Sequence, residues 1–180
     1  MLSPTQREAR EKILYYLGSE TRGGCFYLVG EHLTGKTYLL KQLAQEILGN
    51  DENILNLNLY LSRKVLQETN YEKLAKFNSP KFKDLIRSYI KELLREKSNF
   101  IESVFKGRTI YLLFIDHLEI LYEYDVNFIP LVDSLSVRKS WEKKVIVSIP
   151  GKVSNQRIYA FGKVPYAIPK FSIQFWAELQ

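Results

Sequence analysis

The sequence predicts an α/β fold in three layers, a mainly parallel sheet flanked by helices. Three observations carry this. Short, almost wholly apolar runs recur at CFYLVG (25–30), TIYLLFID (109–116) and KVIVSIP (144–150), as suits strands buried on both faces. Stretches with apolar residues at helical spacing separate them. The motif G-x-x-x-x-G-K-[ST] occupies the first strand–helix junction, from Gly30 to Thr37, so the expected fold is a three-layer P-loop NTPase (ASCE-like), with no helical lid domain.

Taken in order, Ser3-Pro4-Thr5-Gln6 reads as a helix start, with Ser3 as N-cap, Pro4 at the first helical position and Gln6 closing a capping box. Ala9, Ile13, Leu14 and Leu17 share one face of that helix. Beyond the first strand, Leu39, Leu40, Leu43, Ala44, Ile47 and Leu48 mark a helix from Lys36 to Leu48, stopped by Gly49. The alternation in NILNLNLYL (53–61) predicts a second strand, and 62–77 one or two short helices. Ser79-Pro80 opens what reads as a long helix to about Phe105. Helical turns are expected at 117–122 and 127–137. Alternating Tyr166, Ile168, Phe171, Ile173 and Phe175 suggest a last strand, confined to an edge by Pro165 and Pro169. With no repeat or low-complexity linker, residues 1–180 are expected to form a single domain.

Composition narrows the class. A 13% aromatic content argues against a disordered chain. The net charge of +6 makes anionic partners plausible without separating a nucleic-acid binder from a basic enzyme. Cys25 is the only cysteine, which excludes an intrachain disulfide and fits a reducing cytoplasm. Without an apolar run of roughly 18 residues or a signal-peptide core at the N-terminus, a cytoplasmic protein off the membrane is expected.

The phosphate motif dictates chemistry. Gly30 and Gly35 let the loop close tightly enough for backbone N–H groups to face a phosphate, with Glu31, His32, Leu33 and Thr34 forming the loop between them. The helix carrying Lys36, Thr37 and Tyr38 aims its positive N-terminus at the same place. Lys36 supplies charge to the β and γ oxygens of ATP, and the Thr37 hydroxyl is a ligand for Mg²⁺. The second Mg²⁺ group is Asp116, at the end of IYLLFID; the plainer alternative is an N-cap aspartate. Many hydrolases of this architecture place Glu directly after that Asp, but here the next residue is His117. Glu119 follows three positions beyond Asp116, where a helical turn brings both to one side, and is the candidate general base. Ser148 approaches the γ-phosphate if its strand lies beside the phosphate-loop strand. Arg138 is a trans-acting arginine only by analogy with oligomeric AAA+ ATPases.

Elsewhere the charges read more simply. Lys83, Arg87, Lys91 and Arg95 form a ridge, but Asp84 and Glu92 offset it through i,i+3 pairs with Arg87 and Arg95. Arg138-Lys139 and Lys143-Lys144 around Trp141 form a second candidate patch for a phosphate backbone.

The chain resembles the BrxF family, small P-loop proteins of bacteriophage-exclusion (BREX) defence systems. The residues that carry it are GEHLTGKT, LNLNLYLSRKVLQ (55–67), FIDHLEILYE (114–123) and VSIPGKVSNQRIYA (147–160). The family's Leu-Ser helix start corresponds to Leu61-Ser62, its Asp-x-x-Glu to Asp116 and Glu119, and its Pro-Gly to Pro150-Gly151. The resemblance implies an ATP-binding component of a phage-restriction assembly, acting with other defence proteins. A homo-oligomer is compatible with it, as is DNA contact made directly or through the complex. Two other classes stay open: a small-molecule kinase, and a DNA-binding or scaffold module that uses ATP only as a switch.

Overall fold

The computed structural model describes residues 1–20, 25–68, 80–128, 131, 142–155, 157–160, 164–167 and 175–180. The chain runs α1 (Pro4–Gly18), β1 (Cys25–Gly30), α2 (Lys36–Leu48), β2 (Ile54–Asn56), α3 (Leu57–Leu66), α4 (Pro80–Arg95), a 3₁₀ turn (Lys97–Asn99), β3 (Ile101–Phe105) and β4 (Arg108–Asp116). There follow α5 (Glu119–Glu123), β5 (Lys143–Ser154), β6 (Arg157–Ala160), β7 (Val164–Ala167) and β8 (Trp176–Leu179). The sheet order is β2-β4-β5-β1-β8, all parallel, so β5 separates the phosphate-loop strand from the strand that ends in Asp116. β3 adds antiparallel to β4, and β6 and β7 continue antiparallel from the long end of β5.

Side chains alternate across a strand, so each central strand feeds two cores. Cys25, Tyr27, Val29, Leu113, Ile115, Val145, Val147 and Ile149 meet Leu57, Leu61 and Val65 of α3 and Phe82, Ile86, Ile90, Leu93 and Leu94 of α4. On the other face, Phe26, Leu28, Ile110, Leu112, Phe114 and Ile146 meet Ala9, Ile13, Tyr16 and Leu17 of α1 and Leu39, Leu40, Leu43 and Ala44 of α2. This is the three-layer, mainly parallel architecture expected, and CFYLVG is buried throughout.

The first residues of β5 tie both helix layers to the sheet. Lys143 and Lys144 point to opposite faces. Lys143 Nζ donates to the Arg95 carbonyl at the end of α4, at 2.6 Å. Lys144 Nζ donates to the Ser19 carbonyl at the end of α1, at 3.0 Å, and lies 4.7 Å from the Tyr16 ring centroid. A cation at a helix C-terminus is favourable, but Lys144 is fully buried. It is therefore no part of a surface for a phosphate backbone, and Lys143 is committed to α4. Arg138, Lys139 and Trp141 lie outside the described residues, as do most of the turns expected at 127–137.

Three segment expectations are corrected. The alternation at 53–61 is not one strand: Asn56 ends β2 and caps α3, its side chain accepting from Leu59 N at 2.9 Å. The buried residues there, Leu57, Leu61 and Val65, are four apart, while Leu59 is exposed, so a 3.6-residue period was masked by leucine at every second position. The helix beginning at Pro80 ends at Arg95 rather than near 105. Ile101–Phe105 is instead a strand, joined to β4 through Lys106-Gly107, both at positive φ, as a two-residue hairpin turn requires. The C-terminal pattern resolves into β7 and the edge strand β8, paired to β1 and centred later than expected. Residues 168–174 lie outside the described residues. On α4, Lys83 reaches Asp125 at 3.4 Å and Arg87 reaches Asp84 at 2.8 Å. Glu92 pairs with Lys64 at 2.8 Å rather than with Arg95.

Burial holds the Lys144 ammonium down to about 8 from its usual 10.5. Between these values the unfolded chain binds the extra proton, so stability rises with pH; the linked gain from pH 7 to 10 is on the order of 2 kcal/mol. Burial raises Tyr16 well above 10, so above pH 10 ionisation of the unfolded tyrosine reverses the trend. Urea titrations at pH 7 to 10 should show this rise in the wild type and a smaller one in Lys144→Met, where only Lys36 and Lys143, also lowered by burial, still contribute. Equal slopes would refute the assignment.

Candidate nucleotide site

Gly30 ends β1 against β8, and a Cβ there would lie 2.5 Å from Thr34 Oγ1 and 3.1 Å from the Leu179 carbonyl oxygen. Gly35 has φ +84° and serves as the N-cap of α2; a Cβ there would lie 2.2 Å from Gln6 Nε2. Close approach to Thr34 and to the Leu179 backbone thus demands glycine at Gly30, whereas at Gly35 the left-handed backbone does, the Gln6 amide being the end of a flexible side chain. Thr34 Oγ1 donates to the Glu31 carbonyl at 2.9 Å, closing the loop on itself. His32 and Leu33 form its exposed crest, and Tyr38 is exposed on the first turn of α2.

Lys36 is buried with its Nζ inside the loop, donating to the carbonyls of Gly30 at 2.7 Å and Glu31 at 2.6 Å. Burial lowers its pKa, while the charges of Asp116 and Glu119 oppose that shift. Both carboxylates therefore share the electrostatic environment of the lysine.

Asp116 is the geometric centre. Its Oδ2 accepts from Thr37 Oγ1 at 2.6 Å. Its Oδ1 accepts from Ser148 Oγ and from the His117 backbone N–H, the latter at 2.9 Å. The sheet register explains the meeting with Ser148: Ile115 pairs with Val147, so one step on Asp116 is level with Ser148. Both have the parity of Phe114 and Ile146, which places them on the α2 face with Thr37. The N-cap alternative for Asp116 is not what is found, since its carboxylate is spent on side chains of α2 and β5 and on the next amide.

His117 has φ +59°, an uncommon conformation for a residue with a side chain. Its carbonyl accepts from Asn58 N at 3.0 Å. Its ring lies 3.9 Å from both an Asp116 and a Glu119 oxygen, beyond hydrogen-bonding distance. Glu119 opens α5, and its Oε2 accepts from Asn58 Nδ2 at 2.5 Å. Asn58 Oδ1 in turn accepts from Ile120 N at 2.9 Å, so one amide side chain holds both the carboxylate and the start of its helix.

Two contributors to the site carry no motif of their own. Asn58 falls on the polar side of the strand expected at 53–61; the signal for it is the pair Asn56 and Asn58 where β2 gives way to α3. Gln6 carries only the signature of a capping residue. It does close that box, accepting from Ser3 N at 2.9 Å, but its Nε2 also donates to the Thr34 carbonyl at 3.2 Å, so α1 braces the phosphate loop. Arg138 lies outside the described residues.

These donors fit the groups the motif implies. Thr37 and Asp116 present hard oxygen atoms to one point, as Mg²⁺ requires, and the tight loop with Lys36 inside it suits a polyphosphate.

No family model matches the chain, and no curated protein matches it. Among solved structures, PCH-2 from C. elegans is similar at 15% identity and TM-score 0.47, over 100% of this chain and 44% of that one. The chain thus spans less than half the length of that neighbour. No helix among the described residues is long and apolar enough to cross a membrane.

Gly35→Ala should lose about 1–2 kcal/mol in urea denaturation from the left-handed backbone, plus a steric cost against Gln6. Because Gln6→Ala alone gives up the capping box and the bond to Thr34, the comparison is made within that background, where Gly35→Ala should still cost the backbone part. No added loss in Gln6→Ala/Gly35→Ala relative to Gln6→Ala would show that backbone conformation is not what requires glycine.

Proposed function

We propose that the protein is an ATP-binding, Mg²⁺-dependent P-loop ATPase, acting within a bacteriophage-exclusion (BREX) defence assembly and turning over slowly unless a partner engages it. The observation that carries the nucleotide reading is the convergence of Lys36, Thr37, Asp116 and Ser148 at the end of the β1/β4/β5 sheet, on the α2 N-terminus. The resemblance in GEHLTGKT, FIDHLEILYE and VSIPGKVSNQRIYA supports the defence role, with other phage-defence proteins as partners.

Binding rests on the loop amides, the helix N-terminus and Lys36, whose Nζ would exchange two carbonyls for phosphate oxygens. Thr37 and Asp116 would hold Mg²⁺, which when bound neutralises charge on the terminal phosphates. Asp116 keeps the Thr37 hydroxyl oriented, and Ser148 fixes the second oxygen of the same carboxylate. Glu119 is the base that would take a proton from an attacking water. Asn58 Nδ2 holds its Oε2, so that oxygen reaches a water only if the carboxylate turns away from Asn58. That engagement motivates slow basal turnover and favours, as a second reading, a module in which ATP acts as a switch.

Lys36→Ala should abolish ATP binding by calorimetry, and Asp116→Asn should weaken Mg²⁺-dependent binding by about tenfold or more. Unchanged ATP affinity in Lys36→Ala would contradict the nucleotide reading. Glu119→Gln should leave ATP affinity within about threefold and lower the hydrolysis rate by about a hundredfold. Equal rates would favour the switch.

A further inference from the structure

The first helix reaches the phosphate loop through one side chain. Gln6 is buried, and both ends of its amide are occupied. Its Oε1 accepts from the Ser3 N–H at 2.9 Å, a group that can only donate. Its Nε2 donates to the Thr34 carbonyl at 3.2 Å, a group that can only accept. The amide therefore has one orientation. The Thr34–Gly35 peptide is trans, so its C=O and N–H point in opposite directions, and a carbonyl turned to Gln6 turns the Gly35 N–H away from it. No described group accepts that N–H, or those of Lys36 and Thr37 after it. Gly35 lies in the left-handed region at φ +84°, and successive N–H groups around such a residue form an anion-binding concavity. The bond from Gln6 thus fixes the direction of the first of these three donors.

We propose that Gln6 is a positioning residue for the polyphosphate: by holding the Thr34 carbonyl, it keeps the Gly35 N–H directed at the phosphate site before a ligand arrives. Glycine resists rotation of that peptide least, since it carries no Cβ. Without the bond, the peptide has to be ordered on binding, and affinity falls. Lys36 cannot take over this task. Its Nζ holds the Gly30 and Glu31 carbonyls and leaves them when it turns to a phosphate, whereas the bond from Gln6 does not compete with the ligand. The role rests on the nucleotide reading above and extends it to α1, whose start then sets phosphate affinity. Because Gln6 acts through a phosphate-binding amide, its loss affects ATP and inorganic triphosphate by the same factor.

The test is calorimetric titration of the full chain with ATP and with inorganic triphosphate, both in Mg²⁺, for the wild type and two variants. Gln6→Met keeps the length of the side chain, adds no charge and loses both amide bonds. Ser3→Ala removes the other arm of the capping box, in which Ser3 Oγ accepts from Gln6 N at 3.2 Å, and leaves the bond to Thr34 in place. Both weaken the start of α1 and should lower the urea midpoint. Gln6→Met should weaken ATP and triphosphate alike, about tenfold, while Ser3→Ala stays within about twofold of the wild type. Equal losses in the two variants would make helix stability the cause and overturn the role. A loss confined to ATP would place Gln6 at the base and overturn it as well. A wild type that binds neither ligand overturns the nucleotide reading and this role together, whereas wild-type binding that Gln6→Met leaves intact overturns the role alone.

Discussion

The buried carboxylate of Asp116 is the point on which the site depends. Its three donors come from α2, from β5 and from the turn after β4, elements brought together only by the finished sheet. Each hydrogen bond to a charged acceptor contributes about 1.5–3 kcal/mol, and the buried Ser148 hydroxyl would add a comparable desolvation penalty if orphaned. The carboxylate is 5% exposed, so solvent offers little substitute for a lost partner. It therefore fixes α2 against β4 and β5 at the end of the sheet that carries the phosphate-loop motif. The geometry also explains the strand order. With β5 between β1 and β4, Ser148 can complete the carboxylate while the phosphate loop remains one strand away.

The opposite end of the same strand performs a different task. Lys143 and Lys144 anchor α4 and α1 at their C-termini, and Ser148 meets Asp116 four residues beyond Lys144. One short run of β5 thus joins both helix layers at one end and the site at the other. Lys144 does so at a cost, since no carboxylate among the described residues pairs with it and its charge is held down by burial. The strand tolerates this because the helix carbonyls and the Tyr16 ring are already there to receive an ammonium.

The parts of the molecule legible in the sequence are those governed by local rules. Buried parallel strands read as apolar runs, the capping box at Ser3 and Gln6 formed as spelled, and the phosphate motif fell between a strand and a helix. What escaped was decided by tertiary context. Leu57, Leu59 and Leu61 satisfy a strand period, and only the layer beneath α3 selects the helical one. Ile101, Val104 and Phe105 fit a helical stripe until the Lys106-Gly107 turn folds them back onto β4. Asn58 was opaque for a further reason. Its partner, Glu119, is 61 positions away, and no local rule connects an asparagine after one strand to a glutamate after another.

The same amide gives the site its asymmetry. Thr37 and Asp116 are joined directly by a hydrogen bond between the chain's own groups. Glu119 is oriented by Asn58 instead, and His117 stands within 3.9 Å of both acids without bonding to either. His117 also holds an unfavourable backbone conformation, stabilised by the bonds of its N–H to Asp116 and its carbonyl to Asn58 N. The β4–α5 turn is thus fixed at both ends by residues of other elements, Asp116 through α2 and β5, and Glu119 through α3. α3 reaches Glu119 through the Asn58 side chain and the turn before it through the Asn58 N–H, while the Asp116 carboxylate is held by donors of α2, β5 and its own turn. The two carboxylates are thus oriented by different elements of the fold.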